Sequence, residues 1–429
     1  MPTDSVQPLP GQAGSAQWWR QMATRPIPLC QAGHAPGDPV AVTFLWRDPQ
    51  GDETTSPIAR VYIDINSVTD HHSNDPQSLA RIPGTDVWQW QVALPADWRG
   101  SYVFIPVGAQ QLPDLAAHDR QGQRRWWRSI MAHAVADPFN PPSPHAPHTS
   151  ILAMPGAPDQ SAWRAFDQDS ADADPTRLSE VSWHSMRLGE QRRAWVYRTG
   201  GAPSAPLPLV WLLDGQRWAV QQPVFAALDA DTARGKLAPA IYVLVDAIDG
   251  ERRERDLSCN RVFWNALHHE LHPLLARAAG ATPDPAPAVV AGQSLGGLAA
   301  TFAGLHWPQR YGSVLSQSGS FWWPDSDMLM APPGQACPRQ SGASGALARQ
   351  VAGGTLPPGR LRIFQEVGSH EDVMIDVNDS MHAALAGARH ELHYQQFTGG
   401  HDWACWRGGL LDGLAWLLTP PTTMNENTL

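Results

Sequence analysis

Hydrophobic and polar positions fall into two textures along the chain. Between Val40 and Pro106, short apolar runs recur at Val42–Trp46, Val61–Ile65, Val87–Leu94 and Ser101–Pro106, punctuated by Gly51, Pro83-Gly84 and Arg99-Gly100. Short runs with turn residues between them and no helical period predict an all-β, immunoglobulin-like sandwich. Ahead of it, Gly14–Met22 reads as a short capped helix. Beyond about Val181 the runs Leu209–Leu213, Ile241–Val245, Ala288–Ala291 and Leu361–Phe364 alternate with helical stretches. Near-continuous apolar strands bounded by Gly or Asp predict a buried, mainly parallel sheet, hence an α/β architecture. Between the two textures lie the prolines of Asn140–Pro158 and the acidic Asp167–Asp174, which is linker composition. The expected organisation is a sandwich at 14–140, a Pro/Asp-rich linker at 141–180 and an α/β domain at 181–420. The stretch Pro324–Gly359, rich in Gly, Pro, Ala and Ser, reads as an insertion or lid.

Composition narrows the function class. The chain has 429 residues, enough for two domains, with 42% hydrophobic and 17% charged residues, a globular balance. Its 20 Trp exceed its 10 Phe and 6 Tyr together, offering flat apolar surface for a ring-bearing ligand as well as core filler. A net charge of −10 gives no general attraction for nucleic acid or anionic lipid, so an anionic ligand needs a local arginine cluster. Cys30, Cys259, Cys337 and Cys405 are scattered, with no CxxC pair. That argues against a zinc site or disulfide scaffold and suits a reduced compartment. The start shows no basic and apolar leader, and no apolar run approaches the roughly 20 residues of a membrane span. A cytoplasmic location is expected, with no metal or organic cofactor.

The chemistry concentrates at Val289–Ala300, which contains Gly-x-Ser-x-Gly at Gly292–Gly296. The bare pattern is weak, but a β-branched strand enters it and a small-residue helix leaves it before Pro308. A nucleophile elbow requires that context: a sharp turn presents the serine, and small neighbours let strand and helix approach. Serine is a poor nucleophile at neutral pH and needs a base; in an α/β-hydrolase the chain order is Ser, acid, His. After Ser294, a strand ends at Gly368 before Ser369-His370-Glu371-Asp372, and another ends before Gly399-Gly400-His401. His401, beside two glycines, is expected on a free loop as the base. His370 precedes the acids, the wrong order. Glu371 and Asp372 compete for the acid. The oxyanion donors expected are the amides of Leu295, beside the nucleophile, and of Gln216, in the turn after Leu213.

These residues also carry a resemblance. The chain resembles the enterochelin (enterobactin) esterase family, nearly full length from Trp18-Trp19 to about Leu418. In the first half it rests on Thr43–Gly51, Val68–His72, Arg81–Trp90 and Trp98–Pro106. In the second it rests on Leu212–Gly215, Val245–Asp249, Cys259-Asn260, Gly292–Leu298, Gly304–Pro308, Leu315–Trp323 and Gly400–Leu410. The resemblance implies an α/β-hydrolase cleaving the serine trilactone of a ferric catecholate siderophore in the bacterial cytoplasm. Ser294 then matches the nucleophile, His401 the base, and Glu371, rather than Asp372, the acid. Asp256-Leu-Ser-Cys-Asn replaces the family's usual Glu-Leu-Pro-Cys-Asn, Leu295 stands where Phe is common, and Met328–Gly359 matches poorly. A ferric tris-catecholate carries about three negative charges, so local cations are needed. Arg252, Arg253 and Arg255, expected in a loop at the catalytic edge, and Arg407 are candidates, Arg253 standing at the family's matching arginine. Trp322, Trp403 and Trp406 are candidates to pack on catechol rings. The rival functions are a general acyl-ester hydrolase or peptidase and a non-catalytic siderophore-binding protein.

Overall fold

The computed structural model describes residues 13–30, 35–69, 76–113, 119–141, 148–170, 173–201, 205–329, 340, 342 and 344–419. Its strands are β1 (Leu29–Cys30), β2 (Pro39–Arg47), β3 (Ile58–Ile65), β4 (Gln77–Arg81), β5 (Val87–Pro95), β6 (Arg99–Gly108), β7 (Ser150–Ala153), β8 (Leu178–Ser185), β9 (Glu190–Arg198), β10 (Leu209–Leu212), β11 (Ile241–Val245), β12 (Val289–Gln293), β13 (Ser313–Gln317), β14 (Arg362–Gly368) and β15 (Glu391–Phe397). The first seven pair antiparallel in the order β1-β2-β5-β4-β3-β6-β7. Strand β4 pairs with β3 through Gln77–Leu79 and with β5 through Ala80 and Arg81, so it passes from one layer of the sandwich to the other.

Alternation decides what lies inside. Val40, Val42, Phe44 and Trp46 of β2 point inward and meet Val61, Ile63 and Ile65 of β3 with Tyr102 and Phe104 of β6 in one buried cluster. The helix Ala16–Met22 is capped by Ser15, whose side chain accepts from the Trp18 amide, and it buries Trp18 and Trp19 against Leu45 and Val87.

The second sheet runs β15-β14-β13-β12-β10-β11-β9-β8. Strands β10 to β15 are parallel, and β9 pairs antiparallel with β11 and β8. All residues of β10, β11 and β12 are buried, as expected of strands covered on both faces. This is an α/β-hydrolase sheet behind an immunoglobulin-like sandwich. The hairpin β8–β9 is an addition to the expected strands; the half-exposed edge strand β8 carries no continuous apolar run, while β9 buries Ala194–Tyr197 after a charged start.

Part of the stretch read as linker is built into the fold. Strand β7 completes the sandwich beside β6, and Trp163 and Phe166 are buried in the core under the second sheet. Arg252, Arg253 and Arg255 lie on a helix, Gly250–Leu257, not in a loop: Asp249 caps it by accepting from the Arg252 amide, a signal masked by the high charge of the segment. Cys30, Cys259 and Cys405 are free thiols, while Cys337, Asp70–His72 and most of 330–343 lie outside the described residues.

Candidate active site

Strand β12 ends at Gln293, Ser294 takes φ 58° and ψ −121°, and the helix Leu295–His306 begins at once. A positive φ on a serine is costly and persists only where the surroundings enforce it. They do so here: the Ser294 N–H donates to Gln317 O of β13 at 2.9 Å, and the Ser320 N–H donates to Ser294 O at 3.0 Å. A side chain at Gly292 would bring its Cβ within 2.3 Å of the Gly296 backbone, so the elbow needs glycine there. Leu295 opens the helix, and its amide is among the first-turn donors that a helix leaves without internal partners. Gln216 opens the next turn along the same sheet edge, after β10, with its side-chain oxygen accepting from the Ala247 amide at 2.9 Å.

At the ends of β14 and β15 the second half of the site assembles. His401 Nδ1 lies 2.5 Å from Glu371 Oε2. The carboxylate also accepts from Ser318 Oγ at 2.6 Å and from the Gly368 amide at 2.7 Å, and its side chain is fully buried. Because a carboxylate accepts, the proton sits on Nδ1, leaving the Nε2 lone pair free to act as a base. Trp406 Nε1 donates to Ser318 Oγ at 3.0 Å, and the Trp406 ring meets the imidazole edge-to-face at 4.7 Å. Asp372 takes φ 44° and begins the helix Val373–Gly387. His370 packs edge-on against Trp98, 4.8 Å away, and burial lowers its pKa. The Ser294 hydroxyl is hydrogen-bonded to Ser320 Oγ at 3.2 Å. A Ser294–His401 hydrogen bond is not among those of the described residues; in serine hydrolases that bond is often loose before substrate arrives.

The cations sort differently from expectation. Arg253 grips Asp214 through two bonds of 2.6 and 2.8 Å; burial works against its charge, and Asp214 more than offsets that. Arg255 pairs with Asp256 and Glu190, and Glu190 also takes Arg252 and Arg192, which holds its pKa down to about 2 despite burial. Arg407 is corrected outright as a substrate contact. It is 3% exposed, pairs with Asp167 at 2.6 Å, bonds Gln160 at 2.6 Å and covers Trp163, because a cation carried into the interior needs a carboxylate there. Trp406 is likewise 2% exposed and stands behind His401 rather than facing a ligand. Trp403 and Trp322 are half-buried.

Sequence reasoning passed over Arg217. Its natural partner by spacing, Asp214, is occupied by Arg253, so among the described residues the Arg217 guanidinium has only Gln221 and Gln222 as hydrogen-bond partners, and it lies 4.9 Å from the Trp403 ring centre. Its Nε is buried without a hydrogen-bond partner among the described residues, and burial lowers its pKa. The available signal was position: it directly follows the expected oxyanion turn. The loop of His401 is not free either. Thr398, His401 and Asp402 are hydrogen-bonded to residues of the sandwich, and the adjacent glycines allow that close approach.

Residues 41–163 match the family described as enterochelin esterase, N-terminal, and residues 185–417 match the Esterase family. The iron(III) enterobactin esterase of Dickeya dadantii is 50% identical over 95% of this chain and 94% of its own. The chain belongs to the enterobactin esterase family. The Escherichia coli iron(III) enterobactin esterase is 41% identical over 95% of this chain and 98% of that one. Among solved structures, the ferric enterobactin esterase of Salmonella typhimurium matches with a TM-score of 0.81 at 42% identity, covering 94% of this chain and 98% of that one. The Shigella flexneri enterobactin esterase, solved in the presence of enterobactin, matches with a TM-score of 0.79 at 41% identity over 95% and 99%.

Among the described residues no helix is long and apolar enough to cross a membrane, and no group of His, Cys, Asp and Glu is arranged to hold a metal.

Proposed function

We propose that the chain hydrolyses the trilactone esters of ferric enterobactin, with Ser294, His401 and Glu371 as its triad. The observation that carries this reading is the buried Glu371 bonded to His401 at the same sheet edge as the strained Ser294. His401 Nε2 takes the Ser294 proton as Oγ attacks a lactone carbonyl, and the Leu295 and Gln216 amides hold the oxyanion. Glu371 stabilises the imidazolium, which then protonates the leaving alkoxide. Water, deprotonated by His401, splits the acyl-enzyme to the linear acid. Repetition yields 2,3-dihydroxybenzoylserine units. Cutting the ring loosens iron because three catechols on one scaffold act at high effective concentration and separate ones do not.

The ferric complex is the substrate, and its iron is cargo. Arg217, over Trp403, is the cation offered to its negative charge at this edge, with Arg253 already held by Asp214 beside it and Trp322 and Trp403 facing catechol rings. The N-terminal sandwich, which β7 extends into the segment 141–180, walls the pocket of the catalytic domain that follows. The reaction is assigned to the cytoplasm.

The test is chromatographic product analysis of purified protein with ferric enterobactin. Linear and monomeric dihydroxybenzoylserine products are expected from the wild type. Ser294→Ala should abolish them while still quenching tryptophan fluorescence on binding. Turnover by Ser294→Ala, or far faster cleavage of simple aryl esters than of the trilactone, would overturn the reading.

A further inference from the structure

The loop that carries the base is held from outside its own domain. The His401 N–H donates to Ser67 Oγ at 3.0 Å. Asp402 Oδ2 accepts from both the amide and the hydroxyl of Ser101, at 2.5 and 2.7 Å, while its Oδ1 caps the helix Trp403–Leu418 at the Ala404 amide. Upstream, the Arg99 N–H donates to Thr398 O at 3.3 Å, and Thr398 Oγ1 donates to Asp97 Oδ2 at 2.9 Å. These bonds bracket His401 on both sides.

The sandwich residues are themselves fixed. Ser67 lies in the turn after β3, at φ 60°, a conformation that costs a serine energy and so reports outside constraint. Thr69 Oγ1 ties that turn down, accepting from the Ile65 amide at 2.8 Å and donating to Ile63 O at 2.7 Å. Ser67 Oγ donates its own proton to Asn66 Oδ1 at 3.0 Å, which leaves its lone pairs for the His401 amide. Ser101 is on β6, in the body of the sandwich. Gly400 completes the fit: a Cβ there would come within 2.4 Å of Ser67 Cβ, so only glycine admits the sandwich this close to the base.

We propose that Ser67 and Ser101 are positioning residues for His401, so that the N-terminal sandwich sets the rate of chemistry at Ser294 as well as enclosing the substrate. Two grips, one on the His401 amide and one on the neighbouring Asp402, fix the backbone from which the imidazole projects. Glu371 fixes the ring. A base misplaced by a fraction of an ångström loses rate without losing substrate affinity. The proposal rests on the reading of His401 as the base.

The experiment uses the full chain with Ser67→Ala and Ser101→Ala, singly and together. Each hydroxyl contributes one hydrogen bond, so each single variant should lose about three- to tenfold in kcat with KM changed by less than about twofold, and the double variant should lose roughly the product. The rate of Ser294 phosphonylation by a small fluorophosphonate should fall in parallel. In that reaction the serine oxygen displaces fluoride at phosphorus and His401 takes the proton, and the probe does not fill a siderophore pocket. Parallel losses in kcat and phosphonylation, in variants that keep the wild-type melting profile, support the proposal. Unchanged kcat and phosphonylation in either folded variant, or a rise in KM alone, overturns it. Ser294→Ala separates the two readings: if it is inactive while the Ser67 and Ser101 variants turn over normally, only this inference fails.

Discussion

Arg217 feels the charges of Asp402 and Asp214 but is gripped directly by neither, on a sheet edge where its neighbouring arginines are spoken for. Asp214, three residues before it, is locked to Arg253, and no carboxylate among the described residues pairs with Arg217. Burial lowers its pKa, and an anion arriving beside it would offset that desolvation. Arg217→Ala is therefore expected to raise KM for the ferric complex by about tenfold, the scale of one charge-assisted contact, and to leave KM for a neutral aryl ester near its wild-type value. Steady-state kinetics on both substrates decide it; equal effects would remove the charge-reading role. The same residue shows the limit of reading arginines from sequence. Arg252, Arg253, Arg255 and Arg407 were equally visible there, and only their carboxylate partners, Glu190, Asp214, Asp256 and Asp167, distinguish them from Arg217.

Across the strands beneath the site runs a polar row, in register: the buried Gln293 of β12, Gln317 of β13 and Glu366 of β14, and the half-buried Gln395 of β15. Gln293 Nε2 donates to Gln317 Oε1 at 2.7 Å, and Gln317 and Gln395 donate to Glu366 at 2.6 and 2.9 Å. Burial raises the Glu366 pKa from 4.5 to about 7, the two amides opposing. Folded chains thus hold a proton that unfolded chains release between those values. The stability from this group is complete below 4.5 and is lost as pH rises to about 7. Glu366→Gln should flatten that decline; denaturant midpoints measured from pH 4.5 to about 7 would show it, and an unchanged slope would exclude Glu366 as its source. The other elements were unevenly legible. Strands β10, β11 and β12 and the helix after Ser294 are continuous apolar or small-residue runs, and the periodicity locates them. The edge strand β8 and the helix Gly250–Leu257 are polar enough that their pattern resembles loop.

At the scale of the molecule, the segment between the two sheets works as a brace. Trp163 Nε1 donates to Arg407 O at 2.9 Å, and Asp167 and Gln160 hold the Arg407 guanidinium, tying this segment to the helix Trp403–Leu418 behind His401. Arg407→Met removes a buried cation from a pair whose carboxylate is 38% open to solvent, so the loss should be about 1–3 kcal/mol, less than for a fully buried pair. A lower melting temperature with KM unchanged for the ferric complex is the expected result. A KM effect without destabilisation would return Arg407 to the substrate.

Taken alone, the sequence determined the fold class and located the strand–turn–helix elbow at Ser294. Sheet type follows from whether apolar residues alternate or run continuously, and Ser294 follows from a local steric demand, a strand and a helix meeting at glycines. Residues by themselves left Glu371 level with Asp372, since neighbours in sequence say nothing of which side chain turns toward an imidazole. Tertiary structure set Glu371 against His401, gave Arg217 glutamines in place of a carboxylate as its hydrogen-bond partners among the described residues, and brought Ser67 to a loop 334 residues away. Charge pairing and close approach are properties of surfaces that meet only after folding, and no period along the chain encodes them.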